Sequence, residues 1–222
     1  MLSTTEENYL KALVHLSVEK GIKDAGTNEL AGVLHLKPAT VNVMLKKLRE
    51  KKYVTYEKYG RITLTSAGRK MAIEIIRKHR LWETFLFEKL GFDWDEVHEV
   101  AEQLEHIQSK KLIDELDRFL GFPMVDPHGE IIPNAKGELK SVPKQLMSSV
   151  EEKKSYVITG VKNDETSFLK YLEKLGCRIG KSFRVAGIQS FDRSIEIEME
   201  GKSTLITSEV AGQVYVRPRR VS

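Results

Sequence analysis

At 222 residues, with 41% hydrophobic and 31% charged side chains, the chain has the composition of a globular protein of two or three modest domains. No apolar run approaches the roughly 20 residues that a membrane-spanning helix needs. The N-terminus MLSTTEENYL lacks an export signal, and the lone Cys177 can form no internal disulfide, so the expectation is a cytoplasmic protein with no membrane partner. The net charge of +4 is unevenly spread: residues 1–70 hold 13 Lys/Arg against 7 Asp/Glu, residues 71–140 hold 9 against 15, and residues 141–222 hold 14 against 10. A basic first third before an acidic middle suits nucleic-acid binding in one domain and cation binding in the next. Segregated solvated helix faces would give the same counts, so the motifs must decide.

In chain order, TEENYLKALVHLSVE (5–19) places Tyr9, Leu10, Leu13, Val14 and Leu16 at helical spacing, with Thr4 or Thr5 as N-cap. NELAGVL (28–34) reads as a second helix capped by Thr27. ATVNVMLKKLREK (39–51) reads as a third, with Val41, Met44, Leu45 and Leu48 on its apolar face. YVTYEKYGRITLT then alternates as two strands around Gly60, a β-hairpin. Three helices and a hairpin predict a winged helix-turn-helix over 1–65, with the third helix in the major groove of double-stranded DNA. Lys37, Ala39, Thr40, Asn42 and Val43 would reach base edges. Lys46, Lys47, Arg49, Lys52 and the wing residues Lys58 and Arg61 would lie near phosphates.

A long amphipathic helix is predicted from Ser66 to about Leu90, a second from about Trp94 to Ser109 with Asp93 as cap, and a third over roughly 110–120; these make a helical domain over 66–140. Residues 121–145 hold four of the six prolines and three glycines and read as an ordered connection, with an interdomain linker at 141–150. SYVITGV, KSFRVAGIQS, SIEIEME, STLITS and GQVYVRP, interrupted by one helix SFLKYLEKLG, predict a small β-barrel over 151–222. The fold class is therefore mainly α with a smaller β part.

VHEVAEQLEHI carries the chemistry. His98, Glu102, Glu105 and His106 fall at offsets 0, +4, +7 and +8, one stripe of a continuous helix, and mix imidazole with carboxylate as a divalent first-row metal requires. His79 and Glu83 on the preceding helix form a second i,i+4 pair, and facing ligand pairs on two helices can hold a metal. His15 and His35 read as surface or turn residues, His128 as a turn residue without a partner spacing, Cys177 as a small packing residue, and Trp82 and Trp94 as packing aromatics. No Ser-His-Asp arrangement, phosphate-cradling loop or HExxH motif is visible, so the expectation is a protein that is not an enzyme. The alternative is a helical-bundle metalloenzyme with an appended winged helix.

The ordered set TTEENYL, KPATVNVMLKKL, LTSAGRKMA, RKHRLWETFL, VHEVAEQLEH and PHGEIIP resembles the diphtheria-toxin-repressor family of metal-dependent regulators across essentially the whole chain. The resemblance implies a homodimeric repressor that binds palindromic operators of metal-homeostasis genes when loaded with Mn²⁺ or Fe²⁺, and a C-terminal barrel of the SH3-like, ferrous-transport-A-like kind. It implies one metal site from His79, Glu83 and His98, with Asp164 added by the barrel, and another from Asn8, Glu102, Glu105 and His106. A Glu at 102, where iron-sensing members commonly carry Cys, resembles the manganese branch. Lys11 departs from that branch, which has a carboxylate there, and an ammonium cannot ligate a metal.

Overall fold

The computed structural model describes residues 2–19, 25–56, 61–140, 143–163 and 165–219. The chain divides into two compact units. The first comprises Met1–His79, Glu102–Asp114 and Pro133–Glu138; the second comprises Arg80–Ala101, Glu115–Ile132 and Leu139–Ser222.

In the first unit, α1 (Thr4–Val14) starts one residue earlier than expected, because Ser3 and not a threonine caps it. Ser3 Oγ accepts the Glu6 amide at 3.3 Å and Glu6 Oε2 accepts the Ser3 amide at 2.8 Å, so each satisfies an orphan donor of the first turn. The helix continues as a π-turn over His15–Glu19. Then come β1 (Ala25–Gly26), α2 (Thr27–Val33) and α3 (Pro38–Glu50). Gly26 holds the α2 cap position, its amide bonded to Glu29 Oε2 at 2.7 Å, so Thr27 is inside the helix and not its cap. Pro38 at the first turn of α3 needs no hydrogen-bond partner there and presets the helical φ.

β2 (Val54–Tyr56) and β3 (Arg61–Leu64) form the antiparallel hairpin, and β1 pairs on the far side of β3 in the order β1-β3-β2. The hairpin's turn, including Lys58 and Gly60, lies outside the described residues. Leu10, Leu13, Leu30, Val41, Leu45, Leu48, Val54 and Ile62 are buried, which identifies the apolar stripes of the three helices as one core.

Helix α4 (Ser66–Leu90) has the bounds its periodicity predicts. The next does not: α5 is Val97–Leu104, far short of the expected Trp94–Ser109. Past Leu104 the backbone closes as a turn, with the Ile107 amide on the Leu104 carbonyl at 3.1 Å. Glu105 and His106 therefore leave the helical stripe on which the sequence sets them. Ser109 Oγ accepts the Leu112 amide and starts α6 (Lys110–Phe119).

In the second unit, six antiparallel strands form one sheet in the order β4-β9-β5-β6-β7-β8. These are β4 (Gln145–Leu146), β5 (Ser155–Val161), β6 (Ser182–Ile188), β7 (Ile195–Met199), β8 (Lys202–Ile206) and β9 (Val214–Pro218). Helix α7 (Thr166–Lys174) follows β5 and the short α8 (Ser208–Ala211) precedes β9. The inward faces of the strands, Leu169 and Leu172 of α7, Cys177 and Trp94 make a single core.

Most of the Pro/Gly-rich stretch, all but Pro133–Glu138, is part of this unit. Gly129, at φ +81°, lies so close to β5 that a Cβ there would stand 2.0 Å from the Thr159 carbonyl oxygen. The Val161 amide donates to the His128 carbonyl at 2.9 Å. The turn is thereby tied to the sheet. No helix among the described residues is long and apolar enough to cross a membrane.

Candidate metal centre and nucleic-acid interface

Each unit assembles its own group of metal-ligating side chains. In the first, α1 contributes Glu7 and Lys11, α4 contributes His79, and the end of α5 with its turn contributes Glu102, Glu105 and His106. His79 Nδ1 hydrogen-bonds Glu105 Oε2 at 2.6 Å. His106 Nδ1 donates to Glu7 Oε2 at 2.5 Å, and Gln108 Nε2 donates to Glu7 Oε1 at 2.9 Å. The ligand atoms of His79, Glu102 and Glu105 lie within 4.8 Å of one another, a spacing at which donors can share one ion.

Lys11 Nζ donates to both carboxylate oxygens of Glu105 at 2.9 Å and also bonds Glu102. Burial alone would raise the Glu105 carboxyl. The hydrogen bond from His79 and the charge of Lys11 outweigh it, and the group is held below the usual carboxylate range. Burial also draws the neighbouring Lys78 ammonium down, opposed by the charges of Glu7, Glu105 and Glu74. Asn8 Oδ1 is buried and accepts no hydrogen bond. An amide oxygen in that condition carries an unrepaid desolvation cost, which a coordinated cation would offset.

In the second unit the buried ligand atoms of Glu83, Asp126 and His128 lie within 4.8 Å of one another. The turn VDPHGEIIP builds this group: Asp126 Oδ1 accepts the amides of His128 at 2.8 Å and Glu130 at 3.0 Å, while His128 Nε2 donates to the Trp94 carbonyl at 2.6 Å. Asp126 Oδ2 is buried without a hydrogen bond, with Arg80 Nε 3.6 Å away. Burial, with the charges of Glu83 and Glu130, raises Asp126 to about 7. Burial would lower His128, yet the hydrogen bond and charge of Glu83 with the charge of Asp126 lift it to about 9. A divalent cation would neutralise the crowded carboxylates of Glu83 and Asp126 in this dry site and take the neutral imidazole of His128 as a ligand. His98 Nδ1 stands 3.2 Å from Glu83 Oε1, with its side chain largely in solvent.

Of the ligands expected from sequence, Glu102, Glu105 and His106 thus gather at α1, and Glu83 meets His98. His79 stands one turn before Glu83 on α4 and commits its Nδ1 to Glu105. Asp164 lies outside the described residues. Sequence reading missed three members. Glu7 adjoins Asn8, and Asp126-x-His128 is a short carboxylate/imidazole spacing inside a Pro/Gly turn. His128, read as a turn residue without a partner spacing, instead bonds the Trp94 carbonyl and joins Glu83 and Asp126 in one group.

On the DNA side, Lys37, Ala39, Thr40, Asn42, Val43, Lys46 and Lys47 are all exposed along α3, and Arg61 is exposed at the start of β3. Val43 keeps 61% of its surface in solvent, unusual for an apolar side chain with a core within reach. Asn42 Oδ1 accepts the Thr27 hydroxyl at 3.2 Å, which orients the amide from the preceding helix.

A winged helix bearing an exposed basic α3, with its first helix joined to a group of metal-ligating side chains, defines a DNA-binding protein of the metal-responsive class. Comparison with known proteins agrees. Residues 1–62 match the iron dependent repressor N-terminal DNA binding domain, residues 65–134 the iron dependent repressor metal binding and dimerisation domain, and residues 146–218 the FeoA domain.

The chain belongs to the diphtheria-toxin-repressor family of iron-dependent repressors. It is 32% identical over 145 residues to the HTH-type transcriptional regulator MntR of Bacillus velezensis, an alignment covering 65% of this chain and 96% of that one. It is 38% identical over 119 residues to an HTH-type transcriptional regulator of Methanocaldococcus jannaschii, covering 54% and 94%. Among solved structures, a manganese-dependent transcriptional repressor in complex with manganese superposes with TM-score 0.77 at 29% identity, over 96% of this chain and all of that one. ScaR with bound Cd²⁺ superposes with TM-score 0.71 at 34% identity, over 96% and 98%. The protein is a metal-sensing, DNA-binding transcriptional repressor whose residues 65–134 match a dimerisation domain, and its family is not one of enzymes.

Proposed function

We propose that this repressor senses Mn²⁺, with Fe²⁺ the alternative, and that as a cytoplasmic homodimer it binds palindromic operators of metal-homeostasis genes. Its working division is a winged helix over 1–65, a metal-binding and dimerisation region over 66–140, a linker over 141–150 and an SH3-like C-terminal domain over 151–222. Asn8, Glu102, Glu105 and His106 would hold metal in the first unit. In the second, Glu83 would hold it with Asp126 and His128, and His79, His98 and Asp164 are the further ligands that family resemblance suggests.

The observation that carries this reading is the pair of buried oxygens without hydrogen bonds: Asp126 Oδ2, grouped with Glu83 and His128, and Asn8 Oδ1, on the helix whose Glu7 and Lys11 bond His106 and Glu105. Two buried oxygens without hydrogen bonds cost free energy that a coordinated cation would return. A divalent ion supplies Lewis-acid neutralisation of these carboxylates when bound. The carboxylate and amide donors of α1, α5 and its turn then hold the DNA-binding helices at a fixed angle to α4. A dimer reading half-sites about 34–36 Å apart needs that angle constrained, and metal favours the constrained state by binding it preferentially.

The test is fluorescence anisotropy with a palindromic duplex selected from a random library in the presence of Mn²⁺. Binding should rise with Mn²⁺ and reverse on chelation. His106→Ala should need much more Mn²⁺, Asp126→Ala should lose one bound ion per chain, and His15→Ala should behave as the parent. A His106→Ala titration superimposable on the parent's overturns the assignment of the sensing site.

A further inference from the structure

The sequence sets an ammonium where metal ligands gather. Lys11 lies one turn after Glu7 and three residues after Asn8, and its Nζ grips Glu105 through both oxygens while also bonding Glu102. Glu105 is fully buried and Lys11 is four-fifths buried, so this pair is shielded from solvent on most sides. Glu102 and Glu105, with His79, are the three donors whose ligand atoms lie within 4.8 Å of one another. The ammonium therefore holds two of the three members of a cation-sized cluster. Two further donors belong to the same elements: Asn8 of α1, with its buried and unbonded Oδ1, and His106 of the α5 turn, whose Nε2 stands 3.8 Å from Glu105 Oε1.

We infer that Lys11 is a tethered cation that takes one of two cation positions in this cluster. The first unit then binds one divalent ion where an acidic side chain at position 11 would admit two, and α1 stays pinned to Glu102 and Glu105 even without metal. The charges agree. Glu7, Glu102 and Glu105 oppose Lys11 for a net −2, which one divalent ion cancels and a second would overshoot. With Glu at position 11 the same group carries −4, which calls for two. Lys78 is offset by Glu74, so the pair leaves both totals unchanged.

Geometry points the same way. An ion coordinated by His79, Glu102 and Glu105 would need the space and the lone pairs that Nζ now uses, and Nζ offers none in return. A lysine also differs from an ion in being unable to leave. The link from α1 to the α5 turn is permanent, and metal adds to it.

This inference rests on the reading that the Asn8, Glu102, Glu105, His106 group holds a divalent ion, and the experiment separates the two. Full-length protein is equilibrated with Mn²⁺ and bound metal is counted per chain by elemental analysis, with Glu105→Gln as the variant that disables the whole cluster. The parent should bind one Mn²⁺ more than Glu105→Gln, and Lys11→Glu two more. In Lys11→Glu the two ions share carboxylates, so the Mn²⁺ paramagnetic resonance signal should broaden relative to the parent. Equal Mn²⁺ counts in Lys11→Glu and the parent overturn the role of Lys11. A parent that binds no more than Glu105→Gln overturns the site itself.

A metal-free arm does not depend on Lys11→Glu folding. In chelator, Lys11→Met should melt about 2–4 °C below the parent while Lys11→Arg keeps the parent's midpoint. A Lys11→Met midpoint equal to the parent's shows that the ammonium pins nothing.

Discussion

Gly129→Ala tests how the turn that carries Asp126 and His128 is held. At φ +81°, an alanine here adopts a left-handed backbone at a cost of about 1–2 kcal/mol. Its Cβ would also meet the Thr159 carbonyl oxygen at 2.0 Å and the Gly160 Cα at 2.3 Å, both backbone atoms that no rotamer change can move. Relief requires the turn to lift from β5 by about 1 Å, which breaks the buried Val161–His128 hydrogen bond at a further cost of about 1–3 kcal/mol. The expected loss is about 2–5 kcal/mol. Gly91→Ala is the internal reference: φ is +72° but nothing lies within 4 Å, so only the backbone cost of about 1–2 kcal/mol applies.

Both tryptophans, Trp82 and Trp94, belong to the second unit, so their fluorescence during urea denaturation reports on the unit being perturbed. Gly129→Ala should unfold at clearly lower urea than Gly91→Ala. It should also lose the Mn²⁺ assigned to Glu83, Asp126 and His128, while Gly91→Ala keeps it. Equal midpoints for the two variants would refute the claim that close approach to β5 holds this turn.

Two further outcomes concern the DNA face and the thiol. Asn42→Ala should alter the ranking of operator sequences, whereas Lys47→Ala should weaken all of them alike and lower the salt slope by about one; a uniform effect of Asn42→Ala would move base readout off this side chain. Cys177 is 1% exposed and its thiol is pushed up to about 11 by burial, so a disulfide reagent at pH 8 should modify it only after denaturant is added. Modification of the native protein at the rate of a free thiol would contradict that burial.

Much of this molecule was legible from periodicity and local chemistry. The bounds of α4 and, within a residue, of α3 follow from the i, i+3, i+4 spacing of their apolar residues, since a helix buries one stripe wherever it sits. The exposed residues of α3 follow from the same pattern, because whatever faces away from Val41, Leu45 and Leu48 must face solvent. Ligand types were legible too, as imidazole and carboxylate crowd VHEVAEQLEH in a chain segment of net charge −6.

What periodicity could not supply is where α5 stops and whom its last residues meet. No glycine or proline marks Leu104, and an uninterrupted helix would keep His98, Glu102, Glu105 and His106 on a single stripe. The tertiary structure splits them: His98 faces Glu83, while Glu105 and His106 meet His79, Lys11 and Glu7. The contacts with α1 join residues 91 to 99 positions apart. Lys11 shows the same limit. Its sequence identity rules it out as a ligand, but only the fold delivers its ammonium to two carboxylates and turns an apparent defect in the ligand set into a fixed positive charge. His128 became part of a cluster because a turn held against β5 brings it to Glu83, 45 residues earlier in the sequence. Local chemistry sets which groups a chain owns; the pairing of distant groups in a low-dielectric interior decides what charge each site still lacks.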